Sequence, residues 1–276
     1  MGTSAHDQAA AATQSGVTSP RGLSPLLWSR LLRILDGQRG SSPTSQPANP
    51  TEQPGSQARE PASQTVSVLD CGGGSGSLAV PLAARGAEVT VVDISIDALA
   101  TLLRRATESG VSDRVIAVQG DAEALGEILP SAQFDLVLAH GVLENVPNPA
   151  LAISQIASVL RPGGIASLLV ANPVATVIGR LLVGDIAAAL EGLRRSTTSA
   201  YSIEAATSHC ADAGLTIDSI EGIGVFTELV PGIELERPGA VRALTELEEA
   251  AAGLSPYRDI ASRLHIVARR PVAGSG

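Results

Sequence analysis

The chain has 276 residues, enough for one full α/β domain with extensions, and it sets 19 arginines and no lysine against 28 acids, a net charge of -9. That balance argues against a broad phosphate-binding surface, and no apolar run reaches the roughly 20 residues that a membrane span needs. Two cysteines (Cys71 and Cys210) and four histidines without ligand spacing exclude a disulfide framework and predict no metal. The first residues lack a basic start and an apolar core, so a cytoplasmic location is expected.

Residues 1–20 are small and polar and are expected to be disordered. Over 21–36 the apolar residues fall at helical spacing, with Arg30 and Arg33 on the opposite face. Trp28 in that helix reads as a core anchor, with a place beside a ligand as the alternative. Residues 37–64 are rich in Ser, Pro, Gln and Gly and read as a flexible linker. From 65 to 271 strand and helix patterns alternate, which predicts an α/β, Rossmann-like, doubly wound sheet.

The first strand, 65–69, ends on Asp70. Gly72, Gly73, Gly74 and Gly76 follow, and 78–84 reads as a helix. A strand passing through a glycine turn into a helix is a nucleotide-type cradle, because bare backbone lets a ligand approach and the helix start offers free N–H groups. A dinucleotide fingerprint would need a third glycine at 77, where the chain has Ser77, so a nicotinamide oxidoreductase is disfavoured. The second strand, 88–92, ends on Asp93 about twenty residues past the loop, where an acid can accept hydrogen bonds from ribose hydroxyls. As an alternative, Asp93 caps the helix predicted over 96–106.

Strand three, 114–118, leads into Gly120-Asp121-Ala122, and strand four runs from Phe134-Asp135 to His140. Glu144 follows at the start of a helical turn. A further helix ends at Arg161, Pro-Gly-Gly turns the chain, and strand five follows to Asn172. Residues 173–200 hold two apolar helical runs, 174–183 and 186–193, with Arg180, Arg194 and Arg195 attached. They read either as a lid over an acceptor or as packed helices with no part in recognition. A helix from Tyr201 to 213, a strand over 215–220, a helix over 240–252 and a closing strand over 264–269 complete seven strands.

The leading acid and evenly spaced glycines resemble motif I of the class I S-adenosylmethionine-dependent methyltransferases, and Leu-Arg161-Pro-Gly-Gly before strand five is a frequent mark of that family. The set of motifs is most similar to the bacterial tRNA 5-carboxymethoxyuridine methyltransferases. The matching pieces are Val-Leu-Asp70-x-Gly-Gly-Gly-x-Gly, Asp93-Ile94-Ser95, His140-Gly-Val-Leu-Glu144, Asn172, and Tyr257 with His265-Ile-Val-Ala-Arg-Arg-Pro, over roughly 65–271. The resemblance implies S-adenosylmethionine as cofactor, with Asp70 and the glycine loop at its methionine end, Asp93 and Ile94 at its ribose, and Asp121 and Ala122 at its adenine. Arg21 is the nearest counterpart of the family's cofactor-binding arginine. His140 is implied as a cofactor contact and, with Glu144, as the candidate base for a hydroxyl acceptor. Asn172, Arg180, Arg194, Arg195 and Tyr201 are the candidate acceptor contacts. The family's basic insertion shrinks here to Arg194-Arg195, and the chain holds five Phe, Tyr and Trp residues in all. Readers of RNA combine basic surface with aromatic platforms. The expectation is therefore O-methylation of a carboxylate or hydroxyl on a small acidic or polar acceptor. Methylation of tRNA and non-catalytic binding of the cofactor are the alternatives.

Overall fold

A computed structural model describes residues 19–20, 23–40, 65–196 and 203–272. The expectations placed on 1–18 and 41–64, on Arg21 and on Tyr201 lie outside these residues. Seven strands form one mixed sheet: β1 (Ser67–Cys71), β2 (Glu88–Asp93), β3 (Val115–Gln119), β4 (Phe134–His140), β5 (Leu160–Ala171), β6 (Thr216–Ile223) and β7 (Arg263–Arg269). Their order is β3-β2-β1-β4-β5-β7-β6, parallel from β3 to β5, with β7 antiparallel to both of its neighbours. The order reverses between β1 and β4, and open sheets of this kind bind ligands beyond the carboxyl ends of the strands at such a switch point.

Helices cover both faces, which is why β4 is buried along almost its whole length. On one face lie α1 (Pro25–Gly40), α2 (Ala79–Ala84) and α3 (Ile96–Glu108), packed on Val68, Val91, Leu138 and Leu169. On the other lie α4 (Leu125–Ile128), α5 (Pro149–Val159) and α8 (Ile203–Asp212), packed on Leu69, Val137, Leu168 and Ile266. Neighbouring strand residues alternate between these two cores, as the pleat requires.

Helix α1 buries Leu27, Trp28, Leu31 and Leu35, so Trp28 is a core anchor. The helix runs to Gly40 rather than stopping at 36: Arg39 bonds Asp36 on one side and the Arg85 carbonyl on the other. Residues 37–40, expected as linker, are thus its last turn. Arg30 does not face solvent; its Nε donates to Glu221 of β6 at 2.6 Å. Strand β5 begins at Leu160 and passes through Arg161-Pro-Gly-Gly, so that segment is a bulged strand start and not a free turn after a helix. The Arg161 guanidinium pairs with buried Asp135 of β4, whose other oxygen accepts from the Ser67 N–H at 2.8 Å. That clamp holds the irregular register against β4.

After β5 come α6 (Pro173–Leu182) and α7 (Ile186–Ser196), which pack on each other where Gly192 meets Val177. Their outer residues Leu182, Val183 and Ile186 are exposed. The short α9 (Gly232–Leu235), absent from the sequence-based expectations, precedes α10 (Ala240–Ala251). Among the described residues no helix is long and apolar enough to cross a membrane.

Candidate active site

The glycine loop folds back over β2. The Gly72 N–H donates to the Val92 carbonyl at 2.7 Å, and the Gly74 N–H to Asp93 Oδ2 at 2.9 Å. Asp93 Oδ1 accepts from Ser95 N–H at 2.8 Å, so the carboxylate ties the loop to the start of α3. The Ser95 hydroxyl, not Asp93, caps α3. A side chain at Gly73 would put its Cβ 2.5 Å from Asp70 Oδ2 and 2.9 Å from Val91. Bare backbone is required there for the loop to lie against the acid. Gly76 has a different function: at φ 80° it lets α3 approach, and a side chain would run into Leu102.

Asp70 sits one residue before the end of β1, 2% exposed. Its Oδ2 is buried without a partner. Burial first, and then the nearby Asp93 charge, push its carboxyl up from the ordinary 3.8 to about 7. A cationic group brought to Oδ2 would satisfy an orphaned acceptor and a costly charge together.

A cavity of about 280 Å³ opens beyond these strand ends. Gly72, Asp93, Ile94, Asp121, Ala122 and Val142 line it. Asp121 Oδ1 accepts from Glu123 N–H at 2.9 Å and leaves the rest of its carboxylate at the cavity. Ile94 is 73% exposed and, with Val142, offers apolar walls for a flat ring. Val142 was not anticipated; a hydrophobic residue two places past a strand end carries no sequence signal. A larger cavity, about 510 Å³, lies elsewhere, under α1 beside β6 and β7. It has no glycine cradle and no acid at the end of a parallel strand, whereas Gly72, Asp93 and Asp121 line the smaller cavity, which is the better ligand site.

His140 ends β4 with its Nε2 2.9 Å from the Ser167 hydroxyl of β5, and its Nδ1 is buried without a partner. Burial, aided by His265 and Arg263, lowers its pKa to about 3, so the ring is neutral at physiological pH. Glu144, in a 3-10 turn from Leu143 to Asn145, has Oε1 3.6 Å from Arg263 Nη1 and Oε2 buried and unpartnered. A second cavity of about 430 Å³ adjoins this pair, lined by Arg180, Arg263, Glu228, Thr176 and Val183. Arg194 and Arg195 lie in the last turn of α7, Arg195 beside Glu191 at 3.6 Å, and neither is among the residues lining that cavity.

Asn172 does not belong with the acceptor contacts. It is 3% exposed; its Oδ1 accepts from Val174 N–H at 3.0 Å, and its Nδ2 donates to the carbonyls of Asp259 (2.9 Å) and Ala261 (2.8 Å). These side-chain bonds cap α6 and hold the segment before β7. Among the described residues, no group of three His, Cys, Asp or Glu side chains could hold a metal ion.

Residues 69–168 match the family described as "Methyltransferase domain". A tRNA 5-carboxymethoxyuridine methyltransferase of Escherichia coli (strain K12) is 30% identical over 214 residues, 75% of this chain and 81% of that protein. A ubiquinone biosynthesis O-methyltransferase of Paracidovorax citrulli (strain AAC00-1) is 40% identical over 100 residues, 35% of this chain and 40% of that protein. Among solved structures, the [4+2]-cyclase SpnF is 22% identical with a TM-score of 0.49, covering 76% of each chain.

Proposed function

Since the chain belongs to the class I S-adenosylmethionine-dependent methyltransferases, we propose that it methylates an oxygen, carboxylate or hydroxyl, of a small acidic or polar acceptor held between the strand ends and α6. When bound, S-adenosylmethionine supplies a methyl group on a cationic sulfur. The residues fit it: the unpartnered Asp70 Oδ2 answers its ammonium, Asp93 its ribose, and Asp121 and Ala122 its adenine, with Ile94 and Val142 as walls. The sulfonium charge is lost as the methyl leaves, so the protein has to align the reactants more than to stabilise new charge.

The observation that carries the acceptor assignment is the cavity of about 430 Å³ next to Glu144 and Arg263, metabolite-sized and holding Arg180 and Arg263 as its cations. Arginine suits a planar carboxylate through paired donors. Helix α6, which lines the cavity with Ala175, Thr176 and Arg180, acts as the lid, with α7 packed on its outer side. The buried, free thiols of Cys71 and Cys210 accord with a cytoplasmic setting. The E. coli relative's substrate, a tRNA, is the second reading, favoured by 30% identity over three quarters of the chain. Against it stand a net charge of -9 and the absence of lysine.

The test supplies labelled S-adenosylmethionine with a pool of small carboxylic and phenolic metabolites, and separately with bulk tRNA bearing 5-carboxymethoxyuridine. Label in the small-molecule fraction, with KM raised in Arg180→Ala, is the expected result. Transfer to tRNA alone, falling steeply with added salt, would replace this acceptor with the second reading.

A further inference from the structure

Three side chains from three strands form a chain of hydrogen bonds on the α1 face of the sheet. His140 Nε2 lies 2.9 Å from Ser167 Oγ, and Ser167 Oγ lies 2.8 Å from His265 Nε2. The two rings meet edge to face with centroids 6.0 Å apart. Ser167 is fully buried and His265 is 1% exposed. Both rings keep an unpartnered Nδ1 at the outer ends of the chain. The ends differ in their surroundings. His140 stands at the strand rim, next to Gly141 and Val142 of the cofactor cavity, and close enough to Arg263 of the acceptor cavity to feel its charge. His265 lines the cavity of about 510 Å³ under α1, with Glu221 directly across from it on β6 and Arg30 reaching in from α1.

A hydroxyl has one proton, so Ser167 can donate to only one of the two nitrogens and must accept from the other. The chain therefore has a direction. With His140 as the Nε2–H tautomer, Ser167 donates to His265 Nε2, His265 carries its proton on Nδ1, and His140 Nδ1 is left as a bare base, buried directly before Gly141 of the cofactor cavity. Burial keeps both rings neutral at physiological pH, so neither nitrogen pair is blocked by a resident extra proton.

We propose that Ser167 and His265 are relay residues that let His140 take the proton of a hydroxyl acceptor and pass it to the cavity beneath α1. This rests on the methyltransferase site proposed above and narrows its acceptor to a hydroxyl, since a carboxylate has no proton to export. As the acceptor oxygen gains its methyl, its O–H bond breaks and the proton bonds to His140 Nδ1. The Nε2 proton of His140 moves to Ser167 Oγ, and the hydroxyl proton moves to His265 Nε2. The Nδ1 proton of His265 leaves to water in the cavity. One proton leaves the acceptor and one reaches water. The chain now points the other way; after the product departs it resets by the reverse transfers, from cavity water to water in the opened site.

The test joins nitrogen-15 NMR of the histidine rings, in protein saturated with S-adenosylhomocysteine, to kinetics with whichever acceptor the labelled-methyl assay reveals. The wild type should show His140 as the Nε2–H tautomer and His265 as the Nδ1–H tautomer. Ser167→Ala and the nearly isosteric Ser167→Cys should lose this fixed assignment while melting as cooperative folds. With a hydroxyl acceptor both variants should lower kcat at least about tenfold at unchanged KM, the size expected when proton removal is impaired. They should also alter the solvent isotope effect on kcat, which loss of packing alone would not do. A resting His140 in the Nδ1–H tautomer would overturn the relay, whatever the acceptor. So would label found on a carboxylate, or a kcat in Ser167→Cys equal to that of the wild type. If no acceptor takes label, the functional proposal fails and the tautomer measurement alone still decides the direction of the chain.

Discussion

If Asp70 meets the cofactor's ammonium as proposed, cofactor binding is pH-sensitive. Its carboxyl titrates at about 7 in the folded protein, against an ordinary 3.8, because it is buried and faces Asp93. The folded state holds a proton on Asp70 that the unfolded chain has released, so this group's contribution to stability is greatest at low pH and is lost as pH rises from about 4 towards 7. Over that window the cost of ionising it reaches at most about 4 kcal/mol. A bound ammonium reverses the preference by pairing with Oδ2. If only the carboxylate form binds S-adenosylmethionine, the ionised fraction grows between pH 6 and pH 7.5, and affinity should rise several-fold over that range. Isothermal titration across this range, in buffers of different ionisation enthalpy, should also detect close to one proton released per binding event at pH 6. Asp70→Asn should bind at least about tenfold more weakly at pH 7.5, lose the slope, and melt higher than the wild type without ligand, since it removes an uncompensated buried charge. A wild-type dissociation constant that is flat from pH 6 to 7.5, or a slope kept in Asp70→Asn, would refute the assignment.

Other substitutions separate binding from scaffolding. Asp93→Ala removes the acceptor for Gly74 and Ser95 as well as the proposed ribose contact. It should weaken cofactor binding by roughly 1.5–3 kcal/mol, read by titration calorimetry. Gly73→Ala, which drives a methyl group into Asp70 and Val91, should abolish measurable cofactor binding. Gly76→Ala should instead lower the melting temperature through its clash with Leu102. Asn172→Ala should destabilise by about 1–3 kcal/mol in denaturant titrations, by leaving two carbonyls and a helix start unsatisfied, and should leave KM for the acceptor unchanged.

Local chemistry was the readable part of this chain. The run from β1 through the glycines to α2 was legible because strand, turn and helix preferences change within a dozen residues, and each is a nearest-neighbour effect. Asp93 and Asp121 were legible as acids at or just past strand ends. What escaped depends on partners far away in sequence. Residues 37–40 read as part of a flexible linker, yet α1 continues through them because Arg39 finds the Arg85 carbonyl 46 residues on. Arg161-Pro-Gly-Gly reads as a turn, yet it enters the sheet because Asp135 waits on β4. Asn172 looked available to a ligand until the segment before β7 closed on it. His265 is an ordinary strand residue in sequence. Only the adjacency of β4, β5 and β7 puts Ser167 between it and His140.

We propose above that the cavity beyond β1 to β4 holds S-adenosylmethionine, with the acceptor on the α6 side. A crystal structure with S-adenosylhomocysteine tests it most directly. The expected complex has the ammonium within hydrogen-bond distance of Asp70 Oδ2, the ribose hydroxyls on Asp93, the adenine between Ile94 and Val142, and the sulfur facing the cavity that contains Arg180 and Arg263. A nucleoside bound anywhere else, or one bound here with Asp70 Oδ2 left unpartnered, would contradict it.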